Sequence, residues 1–397
     1  MNGVSPARIK SFTTKRLGLN AYLRRPGDGR QQPRIAAKWL LWAQLLGTIL
    51  RQPAFHAIER LVRLGRRRVL GVASRFGDDT LAYFSERLDP GPTRNALVHV
   101  VRRAKRGKAF DGTRFIGLVI DGTGAARCTK NRCSLCHPVK NGKKKVVGYN
   151  HHFSTVAVVG TELTLPLDIE PYGPGDSEYA ASQRLVKRIV SALGKQFADY
   201  VVADGEYATA PFLHVVGELG LNVVARLKGN LPELFNAARK RFESQSPHKV
   251  FHHKGDRVEV WDADDFDPWE SLNWETVRVL RYRQHKPNGE IVEAYWLTDF
   301  SLRKVGSQAL FSLCKSRWKI ENEVFNDGKN RYGLEHLAHH HANSLLVGWL
   351  ITCLAIVIER LYRVRYLHRG NHPVLSAADL LMRLWLALSA DNASDTS

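Results

Sequence analysis

The sequence lacks an apolar stretch long enough to cross a membrane. Its longest apolar run covers residues 345–358 and is interrupted by Gly348 and Thr352, whereas a membrane-spanning helix needs about 20 apolar residues. The first 35 residues are basic and polar, without the apolar segment of a secretory signal. We therefore predict a protein that does not span a membrane, and a buried core helix at residues 345–358.

Cysteine is scarce as well. The chain has five cysteines, three of them between Cys128 and Cys136, which does not resemble the disulfide framework of a small secreted protein. Together with the missing signal segment, this pattern predicts a soluble protein in a reducing compartment, namely the cytoplasm.

Acidic residues are few relative to basic ones. The chain has 59 Lys and Arg against 38 Asp and Glu, a formal net charge of +21 that is spread along its length. Such a charge favours a polyanionic partner, although a ribosome-associated protein, a membrane-surface protein or a merely basic enzyme would also fit. The hydrophobic fraction of 44% excludes a disordered chain.

The first hundred residues have a helical pattern. Residues 1–35 are predicted to form a flexible basic arm, and apolar residues then recur at helical spacing up to about residue 108. We predict a basic arm and an all-helical DNA-binding domain over residues 1–108.

From residue 110 the pattern becomes mixed α/β. Short apolar runs rich in β-branched residues predict strands at residues 115–120, 153–159, 162–169, 200–203 and 222–227. Helical periodicity predicts helices at 177–193 and 208–219. The corresponding domain is predicted to comprise residues 109–228 and 301–365.

Residues 229–300 interrupt this pattern with further strand signals. Strands are predicted at 258–261, 277–281 and 291–297, so that the segment reads as a β-rich insertion. A C-terminal helix and tail are predicted over residues 366–397.

Two aspartates follow apolar strands in the same local sequence. Asp121 ends the predicted strand 115–120, Asp204 ends the strand 200–203, and each is followed by glycine. If the two strands are neighbours, both carboxylates face one crevice, where a hard cation such as Mg²⁺ or Mn²⁺ would offset their repulsion. The alternative for either position is an ordinary Asp-Gly turn.

A third acid belongs to a predicted helix over residues 316–330. Arg317, Glu321, Phe325 and Lys329 are spaced by four residues, so they share one face of that helix. From the pattern alone, a surface ladder of salt bridges is the alternative.

Residues 317–330 have the sequence Arg-Trp-x-Ile-Glu-Asn-x-x-Phe-Asn-x-x-Lys-Asn. This string resembles the signature helix of bacterial insertion-sequence transposases of the DDE superfamily. Their motif is Tyr-x2-Arg-x3-Glu-x6-Lys. The resemblance covers residues 115–345 and implies a ribonuclease-H-like mixed sheet flanked by helices. It also implies that Asp121, Asp204 and Glu321 hold two Mg²⁺ or Mn²⁺ ions.

The same resemblance implies contacts with DNA phosphates. Arg317 and Lys329 are the motif residues expected there, and Arg226 and Lys228 are added as further candidates. Two departures affect this assignment: Cys314 occupies the tyrosine position, and Lys329 follows Glu321 by eight residues instead of seven. Glu323 is a competing acid, but two residues along a helix it points elsewhere.

The expected activity is cut-and-paste transposition. The enzyme would cleave double-stranded DNA at the terminal inverted repeats of a mobile element and join the freed 3′ end to target DNA. It would act as a homodimer on paired ends, in the cytoplasm at the nucleoid. The alternatives are a catalytically silent DNA-binding protein derived from a transposase, and a ribonuclease-H-like nuclease without strand transfer.

The cysteine cluster predicts a structural zinc site. Cys133 and Cys136 have zinc-ligand spacing, Cys128 offers a third thiolate, and His137 is the nearest candidate for the fourth ligand, with His151 and His152 as alternatives. The other interpretation is a set of reduced thiols without metal in an exposed loop.

Overall fold

A computed structural model describes residues 4–63, 70–160, 163–367 and 376–390. Its centre is one ten-stranded sheet. The strands are β1 (Gly117–Cys128), β2 (His137–Lys140), β3 (Val146–Val159), β4 (Leu165–Tyr172), β5 (Tyr200–Ala203), β6 (Asn222–Leu227), β7 (Lys249–His253), β8 (Asp256–Phe266), β9 (Val277–His285) and β10 (Ile291–Thr298).

Helices surround this sheet. In chain order they are α1 (Pro6–Ser11), α2 (Asn20–Arg24), α3 (Ala37–Ile49), α4 (Phe55–Leu61), α5 (Asp78–Arg87), α6 (Pro90–Arg106), α7 (Glu178–Leu193), α8 (Ala210–Glu218), α9 (Pro232–Glu243), α10 (Ser307–Lys315), α11 (Asn326–Tyr332), α12 (Ala342–Tyr362) and α13 (Ala377–Ala390). The mixed sheet, its flanking helices and the N-terminal helices confirm the predicted fold class.

The strand order is β2-β3-β1-β5-β6-β10-β9-β8-β7, and β4 also pairs with β3. The pairs β1–β3 and β3–β4 are antiparallel, whereas β1–β5 and β5–β6 are parallel. The middle strands are buried on both faces, as their nearly continuous apolar sequences require. The predicted strands 200–203 and 222–227 match β5 and β6 residue for residue.

The β-rich segment 229–300 extends the main sheet. β10 pairs antiparallel with β6, and β9, β8 and β7 follow outward in turn. The segment begins with the helix α9, which the sequence patterns did not indicate.

Residues 4–35 are not the flexible arm that the sequence predicted. They contain α1, a π-helical segment (Phe12–Arg16) and α2. Ile9, Phe12 and Leu23 are buried, and the Phe12 ring lies 5.3 Å from the ring of Tyr362 at the end of α12. Burial of these apolar side chains holds the segment against the rest of the protein.

The apolar run 345–358 lies within α12, a core helix. Contrary to the estimate from the sequence, residues 342–365 form a helix long and apolar enough to cross a membrane, but 89% of its most apolar window is buried inside the protein. Trp349 packs on Phe153 of β3 with 4.6 Å between ring centroids, and Glu359 pairs with Arg51 at 2.8 Å. The N-terminal helices and the sheet therefore meet on this helix. Of the predicted C-terminal segment, residues 368–375 and 391–397 lie outside the described residues.

Candidate active site

Asp121 and Asp204 lie on adjacent parallel strands. Val119 pairs with Val202, and each aspartate is two residues farther along its strand, so both side chains face the same side. Asp204 follows the last residue of β5, as predicted. Asp121 does not end its strand in a tight turn, because β1 continues to Cys128 and Asp121 itself pairs with Thr155 of β3.

Glu321 reaches the same place from the helical segment that carries the predicted signature. One guanidinium bridges two of the acids: Nη1 of Arg317 lies 3.5 Å from Oδ2 of Asp121, and Nη2 lies 2.9 Å from Oε1 of Glu321. The Arg317 side chain is 9% exposed, against 44% for Glu321. Arg317 is thus directed into the acid cluster, which differs from the phosphate contact expected of it.

A π-helical turn accounts for the unusual spacing of Lys329. Residues Ile320–Phe325 form this turn, and the N–H of Asn326 donates to the carbonyl of Glu321, five residues back. Seven residues span about two turns of an α-helix, and a π-turn absorbs one extra residue. The eight-residue spacing therefore returns Lys329 to the side of the helix that faces β1, where its Nζ donates to the carbonyl of Gly124 at 2.9 Å.

The electrostatic setting differs between the two aspartates. Burial raises the pKa of Asp121 to about 7, with Arg317 opposing this effect and the neighbouring Glu178 and Glu321 adding to it. Burial also acts against the charged form of Asp204, but a hydrogen bond from Lys228, with Nζ 2.8 Å from Oδ2, holds the pKa of that carboxyl below its ordinary value. At Asp121, burial and the neighbouring carboxylates therefore outweigh the positive charge of Arg317.

Glu178 is a fourth carboxylate at the site, and the sequence analysis missed it. It begins α7 and accepts hydrogen bonds from the hydroxyls of Tyr207 at 2.7 Å and Tyr172 at 3.3 Å. A Cβ at Gly122 would lie 2.1 Å from the carboxyl carbon of Glu178, so a larger residue after Asp121 would have to displace this carboxylate. The local signal is a serine-capped helix start, which does not indicate proximity to Asp121.

The two remaining basic candidates differ in exposure. Lys228 is half exposed and pairs with Asp204. Arg226 is partly buried, with its guanidinium carbon 5.6 Å from the ring centroid of Trp296 and its Nη2 3.4 Å from the carbonyl of Glu293. Arg226 is thereby engaged within the sheet, whereas Lys228 remains at the edge of the acid cluster.

The cysteine cluster lies farther along β1, and its histidine partners differ from the one expected. The Nε2 atom of His151 lies 3.3 Å from Sγ of Cys133 and 3.4 Å from Sγ of Cys136, and Nε2 of His340 lies 3.2 Å from Sγ of Cys136. His137 instead places its Nε2 2.9 Å from the carbonyl of Tyr172. The structure therefore separates His137 from the thiols and brings in His340, which no local spacing indicated.

The donors of the acid cluster fit divalent ions of the Mg²⁺ type. Three carboxylates converge from two strands and a helix, and hard oxygen ligands are those that Mg²⁺ and Mn²⁺ prefer. DDE transposases use such ions.

Comparison with known proteins identifies a family. The family model described as "Transposase DDE domain" matches residues 113–358, which contain all three acids. No curated protein gives a significant match. A solved structure titled "Cryo-EM structure of piggyBac transposase synaptic complex with hairpin DNA (SNHP)" aligns with 98% of this chain and 81% of its own, at 14% identity and a TM-score of 0.46. The match of the family model over more than half of the chain shows that this protein belongs to the DDE-domain transposases.

Proposed function

We propose that this protein is a cut-and-paste transposase that cleaves DNA at the ends of a mobile element and joins the freed 3′ ends to target DNA. The observation that supports the proposal is the convergence of acids: Arg317 bridges Asp121 and Glu321, and Asp204 lies beside Asp121 in the β1–β5 register. We propose that these are the two aspartates and one glutamate for which the family is named.

Asp121, Asp204 and Glu321 are the proposed ligands of two divalent ions. Ions held about 3.5–4 Å apart activate the attacking oxygen and stabilise the leaving oxygen of a phosphodiester. The chain itself contributes the placement: β1 and β5 fix the two aspartates, and Arg317 holds Glu321 toward them. Glu178 adds negative charge near Asp121, which favours cation binding.

The proposed DNA contacts lie around this cluster. Lys228 and Lys329 are at its edge, and on DNA binding they can exchange their contacts with Asp204 and Glu335 for phosphates of the cleaved strand, without reading bases. Arg317 and Arg226 are less exposed and are engaged with protein groups, and we propose that they position the site and the sheet.

A basic concave surface offers a second DNA contact. It is lined by Arg102, Lys105, Arg106 and Lys195, from the end of α6 and the loop after α7. Such clustered positive charge suits a phosphate backbone. The same proposal includes recognition of inverted repeats, action as a homodimer on paired ends and a cytoplasmic location.

A matched pair of glutamates tests the active site. The substrate is a labelled duplex carrying the inverted repeats that flank the gene, with Mg²⁺ or Mn²⁺. Glu321→Gln should abolish cleavage and strand transfer, whereas Glu323→Gln, two residues along the same helical segment, should retain both. Full cleavage by Glu321→Gln would exclude the proposed site.

The same assay separates the alternative functions. Joined products of target DNA and element ends support a transposase, and cleavage without joining indicates a nuclease alone. Binding without either reaction, by a folded wild-type chain, indicates a catalytically silent DNA-binding protein.

A further inference from the structure

Four sulfur and nitrogen donors converge at the far end of β1. Sγ of Cys128, Sγ of Cys136, Nε2 of His151 and Nε2 of His340 all lie within 4.8 Å of one another. Zinc bonds of about 2.3 Å to sulfur and 2.0–2.1 Å to nitrogen give tetrahedral edges of about 3.3–3.8 Å. The observed separations of 3.4 Å (Cys136–His151), 3.2 Å (Cys136–His340) and 3.9 Å (Cys128–His340) are close to these edges.

We infer that Cys128, Cys136, His151 and His340 bind one structural Zn²⁺ that ties the β1–β3 hairpin to the segment following the signature helix. Four protein ligands fill a tetrahedral zinc ion and leave no open position, which is the arrangement of structural sites. Cys133 lies next to this set, with its Sγ 3.7 Å from Sγ of Cys136 and 3.3 Å from Nε2 of His151, but it is not one of the four mutually close donors.

His151 is oriented as a zinc ligand. Its Nδ1 lies within hydrogen-bond distance of the carbonyl of Ala126, so a proton on Nδ1 leaves the Nε2 lone pair directed at the thiols. A backbone carbonyl on the second ring nitrogen is the usual way in which proteins orient a metal-binding histidine. His151 is fully buried and Cys136 is 3% exposed.

The backbone of β1 is distorted at this place. The register with β3 shifts between Ala125 and Cys128, and Ala126 has a φ of +52°, a conformation that costs free energy for a residue with a Cβ. This bulge presents the Ala126 carbonyl to His151 and turns Cys128 toward the cluster. A strained non-glycine residue beside converging donors is consistent with a bound ion that holds it.

His340 is anchored from both sides. Nε2 of His339 lies 2.8 Å from Oε1 of Glu86, and the side-chain amide of Asn343 donates to the carbonyls of Ser85, Glu86 and Leu88 at 2.9–3.0 Å. These contacts fix the backbone around His340 against the end of α5. His340, the fourth ligand, lies about two hundred residues along the chain from the cysteines and is held in position by these contacts with the end of α5.

Elemental analysis of the full-length protein, desalted after expression with zinc, tests the site with two matched histidine variants. Wild type and His137→Asn should each carry about one zinc per chain, and His340→Asn should lose it. Because a zinc-free variant could also fail to fold, wild type is further loaded with Co²⁺. Absorption bands for thiolate-to-cobalt charge transfer and tetrahedral coordination support the site.

Thermal unfolding gives a second measurement on the wild type. A chelator should lower the melting temperature of wild type and of His137→Asn. A wild-type protein without zinc and without cobalt–thiolate bands, or zinc loss in His137→Asn with retention in His340→Asn, would overturn the inference.

Discussion

Strand β1 contributes one residue to the acid cluster and one to the Cys/His cluster, but the two clusters differ in what their side chains contact. Asp121 and Glu321 face Arg317, and Asp204 faces Lys228, so that the side chains of the protein supply part of the positive charge. The donors of Cys128, Cys136, His151 and His340 face one another, and all four lie within 4.8 Å.

Exposure differs in degree between the clusters. The carboxylates of Asp121, Asp204 and Glu321 are 17%, 29% and 44% exposed, whereas His151 and Cys136 are buried and Cys128 and His340 are intermediate. An open site with its own cations can exchange them for ions and DNA during a reaction cycle. A set of soft ligands around two buried members suits a resident ion that supports the fold. The comparison therefore supports both proposals, reaction chemistry at the acid cluster and stability at the Cys/His cluster.

The largest expected effect is a loss of cleavage activity that leaves the zinc content unchanged. Asp204→Asn removes one charged oxygen ligand and should lower cleavage by about a hundredfold or more, by analogy with the loss of one electrostatic stabiliser in other enzymes. Its zinc content should remain that of wild type. Parallel cleavage assays and elemental analysis check this, and a simultaneous loss of zinc would show that the clusters are not independent.

A pair of single-residue deletions tests how the helical segment connects the clusters. Deleting Asn322 from the π-turn converts it to an α-helical turn and keeps the later residues in phase, so cleavage should stay within about tenfold of wild type. Deleting Asn330 rotates the following residues by about 100° and displaces Tyr332, which is buried under Arg51.

Deleting Asn330 should lower the melting temperature and the cleavage rate much more than deleting Asn322 does. Equal damage from the two deletions would contradict the role given to the π-turn.

The raised pKa of Asp121 predicts a pH-dependent stability that the Asn variant lacks. The folded protein holds this proton up to about pH 7, against an ordinary value of 3.8. Protonated Asp121 therefore makes its full contribution to the free energy of unfolding below pH 3.8, and this contribution is lost as pH rises through about 7. In EDTA, the melting temperature of wild type should fall relative to that of Asp121→Asn between pH 5 and pH 8. Parallel curves over this range would argue against a buried, poorly neutralised Asp121.

The smallest expected effect concerns the exposed cation of the acid cluster. Lys228 and Asp204 form a partly exposed pair, which contributes at most about 1 kcal/mol to the free energy of unfolding. Lys228→Ala should thus hardly change the denaturation midpoint. For DNA binding by this variant, the slope of the logarithm of the binding constant against the logarithm of the salt concentration should become shallower by about one. An unchanged salt slope would place Lys228 outside the DNA interface.

Local sequence was enough to predict β5, which leads into Asp204, and its neighbour β6. Both strands are short, apolar and β-branched, so their pattern has one interpretation. The Asp-Gly pattern was less informative at Asp121, because β1 continues past it without a turn and the Glu178 carboxylate lies close to Gly122.

Long-range contacts could not be predicted in this way. His340 joins cysteines some two hundred residues earlier in the chain, and Glu178 approaches Asp121 through the packing of α7, so no spacing within a sequence window reveals either. The N-terminal segment appeared to be an arm because its basic residues are interspersed with Gly, Pro and Gln. Its apolar residues, including Ile9 and Phe12, are nevertheless buried.

The most direct test of the account is Mn²⁺ binding followed by electron paramagnetic resonance, with element-end duplex present and the free-ion signal measured. Wild type should remove about two ions per chain from the free signal, and Asp121→Ala should remove fewer at every concentration. Equal uptake by the wild type and by the folded Asp121→Ala variant would contradict the claim that these acids share the divalent ions.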